Sequence, residues 1–362
     1  MNTEPDGAEV VQTAEEAVTM CPPPLLIIDA LRRYFEEHDL GEGDLAWQRI
    51  GEGQANLTYL IRRGDQAFVL RRGPRPPHPP STHDMIREAR VQRLIAAAGV
   101  ATPNIVSVCE DPAVLGVPFY VMDYLDGVVI TNHVPPHLDT LAERRSTGLA
   151  AVDALVALHE LDVTSGELAT IGRPDGYLER QVRRFSGLWE QTTERSLSEV
   201  PAVGRWLAGR IPRSQKATVV HGDYRIGNLM YDKSTPARVM AILDWEMATL
   251  GDPLTDLGYL TATYAQPDST GTPIELTSVT REPGYPDRDE LMTHYGKATG
   301  LDVGHLAWYQ VLALWKASIF CEAIYTRWLH GERLGDSFAP TLAEGIPAMI
   351  WDALQIIERA ER

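Results

Sequence analysis

The side chains in this chain best suited to chemistry are His221, Asp223, Asn228 and Asp244, all within the stretch Val219 to Asp252. That stretch reads VVHGDYRIGNLMYD, a short turn region, then MAILDWEMATLGDP. Each half looks like a buried strand running into a polar turn. Val219 and Val220 precede the first turn; Ala241, Ile242 and Leu243 precede Asp244 in the second. An amide and a carboxylate delivered from neighbouring strand ends, Asn228 and Asp244, can share a hard cation such as magnesium, which takes a few protein oxygens and fills its shell with phosphate and water. Asp223 is then left over to accept a proton.

Positioning such groups needs a sizeable scaffold. At 362 residues, 44% of them hydrophobic, the chain is long enough for two lobes with one cleft between them. The formal charge of −17 argues against a nucleic-acid partner, which would want a concentrated basic face. The N-terminal stretch MNTEPDGAEVVQTAEEAVTM has acidic residues, no Lys or Arg and no long apolar run, so neither a secretory leader nor a membrane span is expected there. Cys21, Cys109 and Cys321 are widely spaced and odd in number, so neither a disulfide framework nor a zinc site is indicated, and a reducing cytoplasm fits. The expected organisation is a mobile acidic arm over residues 1–24, an N-terminal lobe over 25–125 and a larger C-terminal lobe over 126–362.

Along the N-terminal lobe, apolar residues at helical spacing from Ile27 to Phe35 give way to short strands. Ile50 to Ile61 reads as strand, tight turn, strand, with Gly51 and Gly53 able to admit a phosphate close to the backbone and Asn56 standing where a third glycine would complete a phosphate loop. An ordinary hairpin reads the same way. The next strand ends in Arg71 and Arg72; by alternation Arg71 shares a face with Val69, and Arg72 points the other way. In isolation these could be two solvated charges before a proline-rich loop. The first lysine in the chain is Lys216, so any cation that this lobe offers to phosphate must be an arginine. A helix over Asp84 to Ala98 follows, with Ile86, Leu94 and Ile95 inward and Glu88 in its first half. The strand Pro118 to Leu125 then ends at Asp126-Gly127. Beyond it the pattern turns helical. His159 ends a long amphipathic helix and reads as a structural histidine bonded to backbone; Asp252 and Asp256 frame a helix start, one of them as a cap. Residues 266–286 form a long loop that could line or cover a binding site. The helix near Leu306 to Leu329 carries Trp308, Tyr309, Trp315 and Phe320, mostly for the core, with a minority free to wall a pocket.

The order H-x-D-x-x-x-x-N followed by a strand-end Asp resembles the catalytic loop and metal-binding Asp of protein-kinase-like phosphotransferases. With Gly222 in the middle of the triplet, GNLMYD after it and ILDWE and GDPLTDL beyond, the chain resembles the aminoglycoside phosphotransferase and choline-kinase-like enzymes. Within them it resembles the aminoglycoside-phosphotransferase-like domains found fused to acyl-CoA dehydrogenases. The resemblance implies an α+β, protein-kinase-like two-lobe fold, with a small antiparallel sheet lobe and a mainly helical catalytic lobe. It implies transfer of the γ-phosphoryl group of ATP, with magnesium, to a small-molecule hydroxyl. Asp223 would be the base; Asn228 and Asp244 would hold the metal; His221 and Asp256 would be structural beside the site. The turn with Gly51, Gly53 and Asn56 would position phosphate, Arg71 would replace the usual lysine, and Glu88 would orient it. Met122, Asp123 and Leu125 would form the nucleotide hinge. The acceptor stays open between an amino-alcohol, such as an aminoglycoside, and a hydroxyacyl compound. A catalytically weak nucleotide-binding protein is the competing class, and a metal-dependent hydrolase a distant third.

Overall fold

The computed structural model describes residues 9–51, 56–76, 83–269, 271–332 and 336–362. It divides into two compact units, Met1–Asp126 and Gly127–Arg362.

The first unit begins with β1 (Val10–Val11), α1 (Ala14–Val18), β2 (Leu26–Ile27) and α2 (Ile28–Glu37). Its sheet is built from β3 (Leu45–Ile50), β4 (Leu57–Arg63), β5 (Gln66–Arg72), β6 (Ile105–Cys109) and β7 (Phe119–Asp123), antiparallel in the order β3-β4-β5-β7-β6, with α3 (Met85–Ala97) and α4 (Pro112–Leu115) beside it. Because successive side chains on a strand point to opposite faces, the sequence sorts itself into two cores. Tyr59, Ile61, Phe68, Leu70, Phe119 and Val121 pack with Leu31, Tyr34 and Phe35 of α2. Val69, Tyr120 and Met122 pack with Met85 and Ala89 of α3. Ile86, expected inward on α3, is exposed, and the charged Glu88 is buried instead.

The reading of residues 1–24 as a mobile arm does not describe the residues from Glu9 onward. β1 pairs in parallel with β2, and Leu25 N–H donates to the Glu9 carbonyl at 2.7 Å. The Glu9 carboxylate accepts from the buried Tyr59 hydroxyl at 2.6 Å. Helix α1 is closed by a capping box between Thr13 and Glu16. A strand of two residues and a helix of five are too short to show periodicity, and the acidic composition hid an ordered segment. Arg72 ties it down from below: it is buried, its Nη1 donates to the Leu25 and Leu115 carbonyls, and burial lowers its pKa to about 10. It is not a solvated strand-end charge.

The second unit comprises β8 (Val128–Val129), α5 (Leu141–His159), α6 (Tyr177–Thr192), α7 (Glu199–Ala208), β9 (Thr218–Val220), β10 (Leu229–Tyr231), β11 (Val239–Ile242), β12 (Thr249–Gly251), α8 (Leu254–Thr263), α9 (Arg288–Thr299), α10 (Leu306–Leu329) and α11 (Leu342–Ala360). Two small antiparallel ladders carry the polar turns: β9 with β12, and β10 with β11 and β8. Helix α10 lies against α8 and α11 and supplies much of the core. Trp308 and Trp315 are buried, and their indole N–H groups donate to the Leu207 and Val200 carbonyls, so both are core residues and do not wall a pocket. The segment 266–286 is tied inward: buried Glu275 accepts from Arg281, lies 3.6 Å from Arg288, and the Thr280 hydroxyl donates to the Ala265 carbonyl at 2.8 Å. No described helix is long and apolar enough to cross a membrane.

Candidate active site

The polar turn after β9 is held by a buried carboxylate. Asp256, fully buried in the first turn of α8, accepts from the backbone N–H of His221 at 2.6 Å and of Gly222 at 2.8 Å, one through each oxygen. His159 Nε2 lies 3.3 Å from the same carboxylate, and its Nδ1 is 2.7 Å from the Tyr295 hydroxyl. His159 is therefore structural, as expected, but its ring bonds side chains and not backbone. The neighbouring Asp252 carboxylate accepts from Leu254 N–H and the Tyr309 hydroxyl; the N-cap position of α8 is Pro253, so neither Asp252 nor Asp256 is the side-chain cap expected there. Gly222 has φ +87°, and a Cβ there would meet the Met247 Cβ at 2.9 Å and the Met247 carbonyl at 3.0 Å. Conformation and space both demand glycine where protein kinases place arginine.

His221 is locked by two bonds. Its Nε2 is 2.9 Å from the Leu243 carbonyl, which can only accept, and its Nδ1 receives the Asp223 N–H at 3.3 Å. That pair selects the neutral tautomer protonated at Nε2. The ring thus joins the Asp223 turn to the end of β11. Leu243 N–H donates to the Asn228 carbonyl at 2.9 Å, so both polar turns are pinned together one residue before Asp244.

Asp223 keeps 28% of its side-chain surface exposed. The Asn228 amide donates to its carboxylate at 2.7 Å and to its main-chain carbonyl at 2.9 Å. Arg225 Nε stands 3.7 Å from the same carboxylate. The Tyr259 hydroxyl also faces it; burial first, then the Asp223 charge, push that phenol well above its ordinary value. Arg225 and Tyr259 were not singled out from sequence. The signal was faint: Arg225 lies two residues beyond Asp223, and Tyr259 lies one helical turn beyond Asp256.

The donor set suits magnesium. With both Asn228 amide bonds spent on Asp223, its side-chain oxygen is the atom left to offer a cation. Asp244 sits at φ +68°, a left-handed conformation that aspartate tolerates better than most residues and that re-aims the carboxylate away from the strand direction. Two hard oxygens, with phosphate and water completing the shell, match what magnesium takes.

The remaining expected site residues lie in the first unit. Arg71 Nε is 3.1 Å from Glu88 Oε1, with the arginine 13% and the glutamate 1% exposed. The Tyr120 hydroxyl donates to the same oxygen at 3.1 Å, so the ion pair expected between β5 and α3 is present. Replacing Arg71 by Met would strand the Glu88 carboxylate in the core, an expected loss of about 3–5 kcal/mol. Arg71→Lys keeps the charge and should cost under about 1.5 kcal/mol. Urea unfolding of the two variants checks the difference, and equal midpoints would exclude a buried pair. Gly51 has φ +79°, a backbone angle that favours glycine, and among the described residues a Cβ there would meet nothing within 4 Å. Gly53 lies outside the described residues. Asn56 is buried, and its Oδ1 is 2.8 Å from His83 Nδ1. Met122 is buried with Gln92 Nε2 3.7 Å from its sulfur, Asp123 exchanges main-chain and side-chain bonds with Asn104, and Leu125 is half-buried just past the end of β7. The structure therefore gathers His221, Asp223, Asn228 and Asp256 into one bonded group beside Asp244, and gathers Arg71 with Glu88 separately.

Known proteins resemble this chain in sequence and fold. A Ralstonia eutropha protein assigned as an aminoglycoside phosphotransferase superposes with a TM-score of 0.72 at 25% identity, covering 90% of this chain and 98% of that one. A thermostable aminoglycoside phosphotransferase variant, solved as a ternary complex with ADP and hygromycin B, gives 0.56 at 16% identity, over 88% and 97% of the two chains. Mouse acyl-CoA dehydrogenase family member 10 is 30% identical over 338 residues, 90% of this chain; the chain spans 31% of that relative's length. The fold is the α+β, kinase-like fold that the HGD pattern implied. The model of the phosphotransferase enzyme family matches residues 46–291, and the chain belongs to that family.

Proposed function

We propose that the protein transfers the γ-phosphoryl group of ATP to the hydroxyl of a small acceptor. The observation that carries this reading is the environment of Asp223: a partly open carboxylate with its direction fixed by Asn228, on a turn whose amides are clamped by Asp256. Asp223 orients the acceptor hydroxyl and takes its proton as the new P–O bond forms, while the bond from the γ-phosphorus to the β,γ-bridging oxygen breaks and ADP leaves. Arg225, 3.7 Å away, offsets negative charge gathering at that point. Asn228 and Asp244 hold magnesium, which when bound neutralises charge on the phosphate oxygens. Gly51, Gly53, Asn56 and the Arg71–Glu88 pair serve the triphosphate, and Met122, Asp123 and Leu125 serve the base. The ADP complex of a fold neighbour supports a nucleotide.

The acceptor we favour is a hydroxyacyl compound. Support comes from the relative named for acyl-CoA dehydrogenase, of which this chain matches only a part. A cytoplasmic setting agrees with three unpaired cysteines. The test is ATP consumption by the purified chain, with and without magnesium, across hydroxy acids, their thioesters and amino-alcohols. Magnesium-dependent transfer to one class supports the reading. ATP binding without consumption against the whole panel would replace it with a nucleotide-binding protein of little activity.

A further inference from the structure

The cation nearest the candidate base is not bonded to it. Arg225 Nε stands 3.7 Å from Asp223 Oδ2, beyond hydrogen-bond distance, and Asp223 is the only carboxylate within ion-pair reach of it among the described residues. That Nε is sealed from solvent with no hydrogen-bond partner, and neither terminal nitrogen of the guanidinium is hydrogen-bonded among the described residues. An arginine that orients a carboxylate takes it in a fork at about 2.7–2.9 Å. Here the Asn228 amide does the orienting at 2.7 Å, on the same oxygen that Arg225 faces. The guanidinium is nevertheless seated: a Cβ on Gly227 would collide with its Nη1 and crowd the Thr131 methyl at 3.4 Å, so glycine leaves the room that the arginine occupies. Asp223 keeps 28% and Arg225 19% of its side-chain surface open, so a ligand can reach both.

A desolvated guanidinium nitrogen without a partner costs stability, and an apolar side chain would fill the space without that cost. Its planar fork of donors matches a carboxylate, which it can take through two parallel bonds. Phosphate charge already has magnesium at Asn228 and Asp244, whereas Arg225 stands beside the group that meets the acceptor. The chain carries −17, which repels an anion at long range, so an anionic acceptor needs a local cation to bind. We infer that Arg225 selects the acceptor: its guanidinium takes a carboxylate carried a few carbons from the hydroxyl that Asp223 receives, so the acceptor is a free hydroxy acid and not an amino-alcohol or a thioester. The two groups must be close in the acceptor, because their partners here are 3.7 Å apart and each is met at one hydrogen bond of about 2.7–2.9 Å. A hydroxyl on the second to fourth carbon meets that span; one at the far end of a chain does so only by folding back, at a cost in entropy. The inference rests on the phosphotransfer reading for the role of Asp223, while anion binding at Arg225 does not depend on it.

Binding measured apart from turnover separates the two. Calorimetric titration of the full chain, saturated with magnesium and a non-hydrolysable ATP analogue, would compare hydroxyhexanoates, with the hydroxyl at successive positions, against their uncharged primary amides. Acids with the hydroxyl on the second to fourth carbon are expected to bind about tenfold or more tightly than their amides, as one charge-assisted hydrogen bond implies. They should also bind more tightly than the acid with a terminal hydroxyl. Arg225→Met and Arg225→Gln should each bring acid and amide to within about twofold, and Arg225→Lys should keep part of the preference. Circular dichroism checks that the variants are folded, and the acid-to-amide ratio of the parent chain carries the test without them. Acid and amide binding alike in the parent chain, or no acid binding at all, would overturn the inference. So would an acid preference that survives Arg225→Met while kcat falls equally for acid and amide, which would put the guanidinium on the transferred phosphoryl group. Acid-selective binding that Arg225→Met abolishes, with no phosphoryl transfer from ATP, would leave the anion site standing and remove the phosphotransfer reading instead.

Discussion

Asp223→Asn is expected to lower kcat by about 10²–10⁴-fold while the protein stays folded. The replacement is isosteric. Its side-chain oxygen can still accept from the Asn228 amide at the 2.7 Å contact, and its new N–H₂ can face the Tyr259 hydroxyl, which then accepts where it had donated. The missing property is the capacity to take a proton from the acceptor. Far-ultraviolet circular dichroism and the unfolding midpoint should therefore match the parent chain, and KM for ATP should move little, since no nucleotide contact is assigned to this side chain. A kcat within about threefold of the parent would remove Asp223 from the base position. Asp244→Asn makes an informative partner. It deletes a charge that would face a cation, so its activity should fall together with the apparent affinity for magnesium, and excess magnesium should recover part of it. A deficit in Asp223→Asn that excess magnesium repairs would mean that the two residues have been assigned the wrong way round.

The sequence disclosed the parts of this molecule that repeat at short range. Alternation along 66–72 is enough to send Arg71 and Arg72 to opposite faces, and the structure finds Arg71 against Glu88 and Arg72 beneath Leu25. The HGD spacing is enough to identify the family, because the turn can be made in few ways: Gly222 at φ +87° has no room for a side chain. What the sequence withheld lies in contacts between distant segments. One partner of the His159 ring is Tyr295, 136 residues away, and the support of Asp223 includes Tyr259, reached only after β10, β11 and β12 have returned the chain. Aromatic composition misled for a related reason. Trp308 and Trp315 have the chemistry of a pocket wall, but carbonyls of α7 take their indole N–H groups and bury them. Asn56 stood out by departing from a glycine pattern; the structure gives its side chain a local duty toward His83. Helix α3 shows that apolarity is an unsafe guide to facing when a buried ion pair is present, since Glu88 takes the inward place that Ile86 was expected to fill.

Asp256→Ala should destabilise the second unit about as much as truncating a large buried aromatic, with an expected loss of about 3–5 kcal/mol. The carboxylate is fully buried and accepts from two consecutive backbone N–H groups on a turn with no regular ladder of its own. Alanine leaves both amides unsatisfied, at about 1–3 kcal/mol each, and leaves His159 Nε2 facing an empty site. Asp256→Asn tests whether charge or shape matters more. Its oxygen can serve one amide, but its N–H₂ must confront the other, so two donors meet and one bond is lost; about 2 kcal/mol is expected. The midpoint of urea unfolding should fall in the order parent, Asn, Ala at constant slope. Activity should fall further than stability alone explains. Release of the His221 and Gly222 amides frees the left-handed backbone at Gly222, and with it the direction of Asp223. Tethering Asp223 through Asn228 is too local to restore that direction, since both residues lie on the loop that has come loose. An Asp256→Asn protein that retained full kcat while losing about 2 kcal/mol would show that the carboxylate only holds the fold, and that the Asn228 amide and Tyr259 suffice to aim the base.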